Sequence, residues 1–199
     1  MKYIDLTLQI KKTNKIYKWA ELQPKKESVM GHVGTHMDIY DSKSIPIEYT
    51  QRRGILFDVS EIVGREISSE DIDLDYVKPG DFVLFRTGLI ERFPYGSNRY
   101  FKEDISFSWE LIDALIEEKI ALIGLDAPDL RKGKEHIEVD KRCEKQGIYI
   151  IENLQNLRQI DVNKPCKMLT MWLEDPEATG LKCRVIATQP NDEINKHGW

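Results

Sequence analysis

Histidine is scarce in this chain. His32, His36, His136 and His197 are the only four among 199 residues. Cysteine is scarcer still: Cys143, Cys166 and Cys183 are odd in number and form no Cys-x-x-Cys, which argues against a disulfide framework and a zinc ribbon. No apolar run approaches the ~20 residues of a transmembrane helix, so no membrane partner is expected. Asp5 and Gln9 interrupt the N-terminal apolar stretch where a signal peptide would need an unbroken one, and the expected location is cytoplasmic. There is no basic surplus: 29 Lys and Arg stand against 34 Asp and Glu, a net charge of −5, which speaks against a nucleic-acid partner. No Gly-x-Ser-x-Gly is present, so no serine nucleophile on a strand-to-helix elbow is expected. Internal repeats, low-complexity tracts and linkers are missing too. With 41% hydrophobic and 32% charged residues, the chain reads as one folded domain over residues 1–199 that ends in a polar tail from Pro190.

Against this background one stretch stands out. Gly31-His32-Val33-Gly34-Thr35-His36-Met37-Asp38 holds two of the four histidines and a carboxylate. Imidazole nitrogens and a carboxylate oxygen suit Zn²⁺, Mn²⁺ or Fe²⁺, and three protein ligands leave coordination positions open, the pattern of catalytic sites. On an extended segment residues 32, 36 and 38 point to one side. Gly34 and the β-branched Val33 and Thr35 favour strand or turn over helix, so an irregular strand or loop is expected. The bland alternative is a solvated loop whose side chains satisfy one another.

The stretch resembles the His-x-Gly-Thr-His-x-Asp signature of the cyclase-like metal hydrolases, the family of bacterial kynurenine formamidase and isatin hydrolase. Further blocks follow in family order: Tyr3-Ile4-Asp5-Leu6-Thr7, Val77 to Gly88 with its Pro79-Gly80-Asp81 and Arg86-Thr87-Gly88, Leu122 to Asp126, and Gly147 to Leu157. The resemblance implies a metal-dependent hydrolase of a C–N bond, an amide or formamide in a small aromatic or cyclic substrate. Its nearest expectation is an arylformamidase of tryptophan catabolism. It also implies one or two divalent ions, Zn or Mn, with metal-bound water as the attacking group, and a homodimer or homotetramer.

Local patterns supply the rest. Strands are expected over residues 3–10, 54–59, 82–87, 120–125, 149–154, 166–173 and 182–187, and Lys11 to Lys26 is expected as a loop. Residues 41–50 look turn-rich, and residues 67–76 show no clear period. Leu89 to Ser106, with four aromatics and two arginines, is expected as a mobile loop over the pocket or against a second subunit. Ser108 is a candidate N-cap for an amphipathic helix reaching Lys119, and a second helix runs from about His136 to Lys145, stopped by Gly147. Short strands outnumber helices, giving α/β or α+β with a mainly β core and a few covering helices. The resemblance sharpens this to the swivelling β/β/α cyclase-like fold.

His32, His36 and Asp38 are thus the primary metal candidates. The resemblance adds Glu152 as a second-site ligand. Two positions depart from the family pattern: Ser42 and Asp140 stand where histidines are usual, ten residues after His32 and twelve before Glu152. Serine cannot shuttle a proton near neutral pH. Asp140 can still ligate, with a lean toward Mn²⁺ or Mg²⁺. His136, one helical turn before Asp140, could replace a lost ligand or bond to Asp140, although alone it reads as an exposed helix-start histidine. Catalytic candidates are therefore Glu152, Asp140 and His136. Asp126 and Asp129 read equally well as pocket-lining or turn residues, and His197 as idle. The departures also leave open a lapsed family member that binds metal or a small ligand without turnover, and a lyase or cyclase using the same metal.

Overall fold

The computed structural model describes residues 1–41, 44–162 and 164–190. Nine strands form one mixed sheet: β1 (Lys2–Asp5), β2 (His36–Asp38), β3 (Gln51–Asp58), β4 (Phe82–Arg86), β5 (Leu122–Leu125), β6 (Tyr149–Glu152), β7 (Cys166–Met171), β8 (Gly180–Lys182) and β9 (Arg184–Gln189). Their spatial order is β1-β9-β7-β3-β4-β5-β6-β2-β8. The neighbours from β3 through β6 run parallel and the flanking pairs antiparallel.

The four central strands are apolar almost without interruption, because both of their faces are covered. Ile55, Phe57, Val83, Phe85, Ile123 and Leu125 face one way, and their neighbours Leu56, Phe82, Leu84 and Leu122 face the other. The first face carries helices α3 (Leu89–Arg92), α4 (Asn98–Lys102), α5 (Trp109–Glu117) and α6 (Lys134–Glu144), which contribute Leu89, Tyr100, Leu111, Ile112, Leu115, Val139 and Cys143 to the same core. Ser108 caps α5 by accepting from the Leu111 N–H, as its side chain suggests. Among the described residues no helix layer covers the second face, which is closed by the sheet itself. Ile4, Leu6, Met37, Met168 and Val185 pack there. Leu6 donates to Val185 on one side and accepts from Gln155 on the other, and Thr7 bridges Leu154. These bonds join the β9 side of the sheet to the exit of β6 and curl it into a half-barrel. The α/β class with a mainly β core is the architecture observed.

Three local expectations are corrected. Lys11 to Lys26 is not a loop: Asn14 accepts from the Ile16 N–H and starts α1 (Lys15–Glu21), and α2 (Lys26–Gly31) follows. These helices span one or two turns and bury little beyond Ala20, so no strong apolar period marks them. Leu89 to Ser106 is not a free loop either, because Tyr100 is fully buried in the helical core. The final strand expected over 182–187 is two strands, β8 and β9, which separate around Cys183. Ser42, His197 and most of the polar tail lie outside the described residues. Among the described residues no helix is long and apolar enough to cross a membrane.

Candidate metal centre

Strand register builds the centre. β2 lies between β6 and β8, and His36 stands directly opposite Glu152 in the antiparallel β2–β6 pairing. Directly opposed side chains share a face, and Asp38, two residues on, points to the same side as His36. His32 arrives by another route. It caps the C-terminus of α2 rather than continuing an extended segment, which corrects the strand-like picture of the whole motif. The left-handed φ of +86° at Gly34 turns the chain from that cap into β2.

The three motif residues converge. His32 Nδ1 lies 3.0 Å from Asp38 Oδ1, His36 Nε2 lies 3.3 Å from the same oxygen, and the two imidazole rings are 4.9 Å apart, edge to face. Glu152 Oε2 is 3.7 Å from His36 Nε2. The Gly34 carbonyl, 2.9 Å from His36 Nδ1, can only accept, so Nδ1 carries a proton and Nε2 faces the cluster. His32 Nε2 is held by Thr179 Oγ1 at 2.9 Å.

Helix α6 supplies the other wall. His136 and Asp140 sit one turn apart on its inner face, with His136 Nε2 3.5 Å from Asp140 Oδ2. Asp129, on the loop after β5, reaches His136 Nδ1 at 2.9 Å, and Glu152 Oε1 lies 3.9 Å from that nitrogen. The exposed helix-start reading of His136 is therefore corrected: its side chain is only 22% exposed and belongs to the cluster. Tyr40 donates its hydroxyl to Asp140 Oδ2 at 3.2 Å, a contact that no spacing rule announced across 100 residues. Asp129 lines the site, whereas Asp126 accepts from Thr87 and Gly88 in a buried turn outside it. Asp41 faces Lys141 instead.

Among the described residues three overlapping sets could each hold a cation: His32, His36 and Asp38; Asp38, His136 and Asp140; and Asp129, His136 and Glu152. The buried polar atoms fit that role. Both oxygens of Asp38, Oδ1 of Asp140, Oε1 of Glu152 and Nδ1 of His136 lack a hydrogen bond of proper alignment. Buried groups of this kind are costly unless something compensates them, and a divalent cation held by one of these sets would compensate the carboxylate oxygens around it.

Electrostatics reports the same crowding. Burial raises the carboxyl of Glu152 well above the usual range, and the charges of Asp38, Asp129 and Asp140 add to it. Asp140 is raised to about 7 by burial and by Asp38. Asp38 moves the other way: His36 and His32 outweigh its burial and hold it low. Burial opposes a proton on His136, but Asp129 and Asp140 prevail and raise it to about 9. Tyr40 is raised far above the ordinary phenol range by burial and by the nearby carboxylates, so its hydroxyl acts as a donor.

Beside the centre opens a cleft of about 520 Å³, a size suited to a small molecule. Trp19, Tyr95, Phe101, Ile16, Val29 and Val33 line it together with His32. Helix α1, absent from the sequence reading, supplies Ile16 and Trp19.

The sequence profile of the "Putative cyclase" family matches residues 4–131, and the chain belongs to that family. Among solved structures, a predicted metal-dependent hydrolase from Bacillus stearothermophilus is 22% identical, covering 94% of this chain and 97% of its own, with a TM-score of 0.71. Isatin hydrolase A from Labrenzia aggregata is 18% identical over 94% of this chain and 93% of its own, with a TM-score of 0.73. Isatin hydrolase A from Ralstonia solanacearum is 16% identical over 94% and 91%, with a TM-score of 0.74. These likenesses establish a shared cyclase-like fold. Comparison with curated proteins gives no match.

Proposed function

We propose that this protein is a metal-dependent hydrolase that opens a C–N bond, an amide or formamide, in a small aromatic or cyclic substrate. The observation that carries the reading is the convergence of buried ligand atoms on Asp38, Asp140 and Glu152, with carboxylate oxygens that lack a well-aligned hydrogen bond, closed on one side by His32 and His36. The aromatic cleft beside His32 supports a flat, apolar substrate. The names of the isatin hydrolase neighbours support a cyclic aryl amide, since isatin is one.

A divalent ion held by His32, His36 and Asp38, with Asp140 and Glu152 as further ligands, would polarise the scissile carbonyl and lower the pKa of its water to ~7. The side chains of this chain do the rest. Trp19, Tyr95 and Phe101 hold the ring of the substrate and keep bulk water from its face. His136, paired with Asp129, is the proton carrier, donating to the leaving nitrogen. It occupies the place in the chemistry that the family histidine missing at Ser42 would fill. Tyr40 keeps the Asp140 carboxylate turned inward.

Elemental analysis of protein purified without chelator, with His36→Ala in parallel, tests the reading. We expect one or two equivalents of Zn or Mn in the native protein, a loss in the variant, and hydrolysis of N-formyl aryl amines or cyclic aryl amides by the loaded enzyme. A native protein that refuses added Zn²⁺ and Mn²⁺ would sink it.

A further inference from the structure

The metal motif is gripped by residues that the proposed chemistry does not use. Asn153 follows Glu152 and has a left-handed φ of +58°, a conformation rare for non-glycine residues that asparagine tolerates better than most. Its backbone is fixed at both ends: its N–H donates to the Ala127 carbonyl at 3.2 Å, and its own carbonyl accepts from Thr35 Oγ1 at 2.8 Å. The side chain then lies against the motif. Nδ2 donates to the Gly34 carbonyl at 3.1 Å and stands 3.5 Å from His36 Nδ1. That carbonyl is the same one that takes the His36 Nδ1 proton.

The orientation of the carboxamide is not arbitrary. Turning it over would put its oxygen against the Gly34 oxygen, two acceptors face to face. With Nδ2 on Gly34, Oδ1 faces away and accepts from the Tyr100 hydroxyl at 2.6 Å. Tyr100 comes from α4 and is fully buried, so its hydroxyl has no water to turn to. The ring is wedged by Tyr95 and Phe101, with centroids 5.4 and 5.1 Å away.

We propose that Asn153, locked by Tyr100, is the positioning residue of His36. It fixes the Gly34 carbonyl, the carbonyl holds the Nδ1 proton, and Nε2 is thereby aimed at the cluster. The inference rests on reading His36 as a metal ligand. An ordinary structural role would cost only stability, whereas a positioning role also changes how the protein holds metal.

The test uses Tyr100→Phe, which deletes one oxygen, and Asn153→Gly, which keeps a residue suited to positive φ. Three readouts are needed for each: Zn²⁺ affinity by competition with a chromophoric chelator, the visible spectrum of the Co²⁺-loaded protein, and Tm in excess chelator. Partners that orient a ligand are worth 10–100-fold in metal affinity, so we expect Zn²⁺ to bind about tenfold more weakly in Tyr100→Phe and weaker still in Asn153→Gly. The Co²⁺ bands should shift in both. Native affinity and an unchanged Co²⁺ spectrum in Asn153→Gly would overturn the proposal, whatever happens to Tm and even if Tyr100→Phe does not fold. A native protein that takes up neither ion would instead fail the metal reading itself.

Discussion

His36 and Glu152 face each other across the β2–β6 pairing, 3.7 Å from Nε2 to Oε2, and both are buried. Backbone pairing therefore holds two prospective ligands from distant parts of the chain at a fixed separation. The arrangement has a cost that should be measurable. In the metal-free protein Glu152 is a carboxyl displaced upward by burial and by three neighbouring acids. Glu152→Gln keeps the shape and removes the charge. We expect its Tm in chelator at pH 8 to exceed that of the native protein by several degrees, about 1–2 kcal/mol on the usual scale for a small domain. Its metal uptake should fall. Differential scanning calorimetry with and without Zn²⁺ checks both, and equal Tm values in chelator would refute the argument.

The sign of the pH dependence follows from the same groups. Asp140 is displaced upward to about 7 and His136 to about 9. A group whose folded pKa exceeds its unfolded one stabilises the fold below the unfolded value and loses that contribution as pH rises through the folded value. Chelated protein should therefore lose stability from about pH 4 to pH 9, first through Asp140 and then through His136, and the stabilisation by added metal should grow over the same range. Ligands must shed their protons to bind, so uptake at pH 7 should release protons. Titration calorimetry in two buffers of different ionisation enthalpy would count them. Identical heats in both buffers would contradict the assignment.

Much of this centre was legible in the sequence, and its gaps have physical causes. His32, His36 and Asp38 declared themselves by spacing and residue type. Glu152 did so only through resemblance, because an acid at a strand end becomes a partner of His36 through register, which is a long-range property. The periodicity showed that His136 and Asp140 share a helix face but not that the face points inward, since the packing of α6 on the sheet decides that. Asp129 depends on the exit of β5, and Tyr40 on a contact 100 residues away. Helices α1 and α2 are too short and too exposed to leave an apolar stripe, so the cleft they help to line was invisible. The aromatic run around Tyr100 reads as a mobile loop over the pocket or against a second subunit, and only tertiary packing puts Tyr100 inside the helical core.

His136 and Asp129 provide a kinetic prediction. If the pair moves the proton, His136→Gln should leave most of the metal at His32, His36 and Asp38 and lower kcat by about 10²-fold or more. Asp129→Asn should lower kcat less and shift one limb of the kcat/KM pH profile. Metal analysis beside steady-state kinetics separates the outcomes. A variant that loses metal in proportion to activity would make His136 a ligand rather than a proton carrier.

Glycine at position 180 makes the sharpest structural prediction. β8 passes so close to His32 that a Cβ on Gly180 would lie 2.8–2.9 Å from Nδ1, Cδ2 and Cε1 of its ring. Those distances are below ordinary van der Waals contact, and the ring is tied at both nitrogens, to Asp38 at 3.0 Å and to Thr179 at 2.9 Å. Gly180 does not have a positive φ, so alanine meets no left-handed backbone strain there and the nearest atoms its methyl meets are those of the imidazole. Gly180→Ala should therefore fold, swing His32 off Asp38 and weaken metal binding by about tenfold or more, while His36 and Glu152 keep their register. Chelator competition gives the affinity. The ¹H–¹⁵N spectrum of the metal-free variant shows whether changes stay around residues 28–38 and 178–182. Native affinity in the folded variant would mean that His32 is not needed to hold the ion.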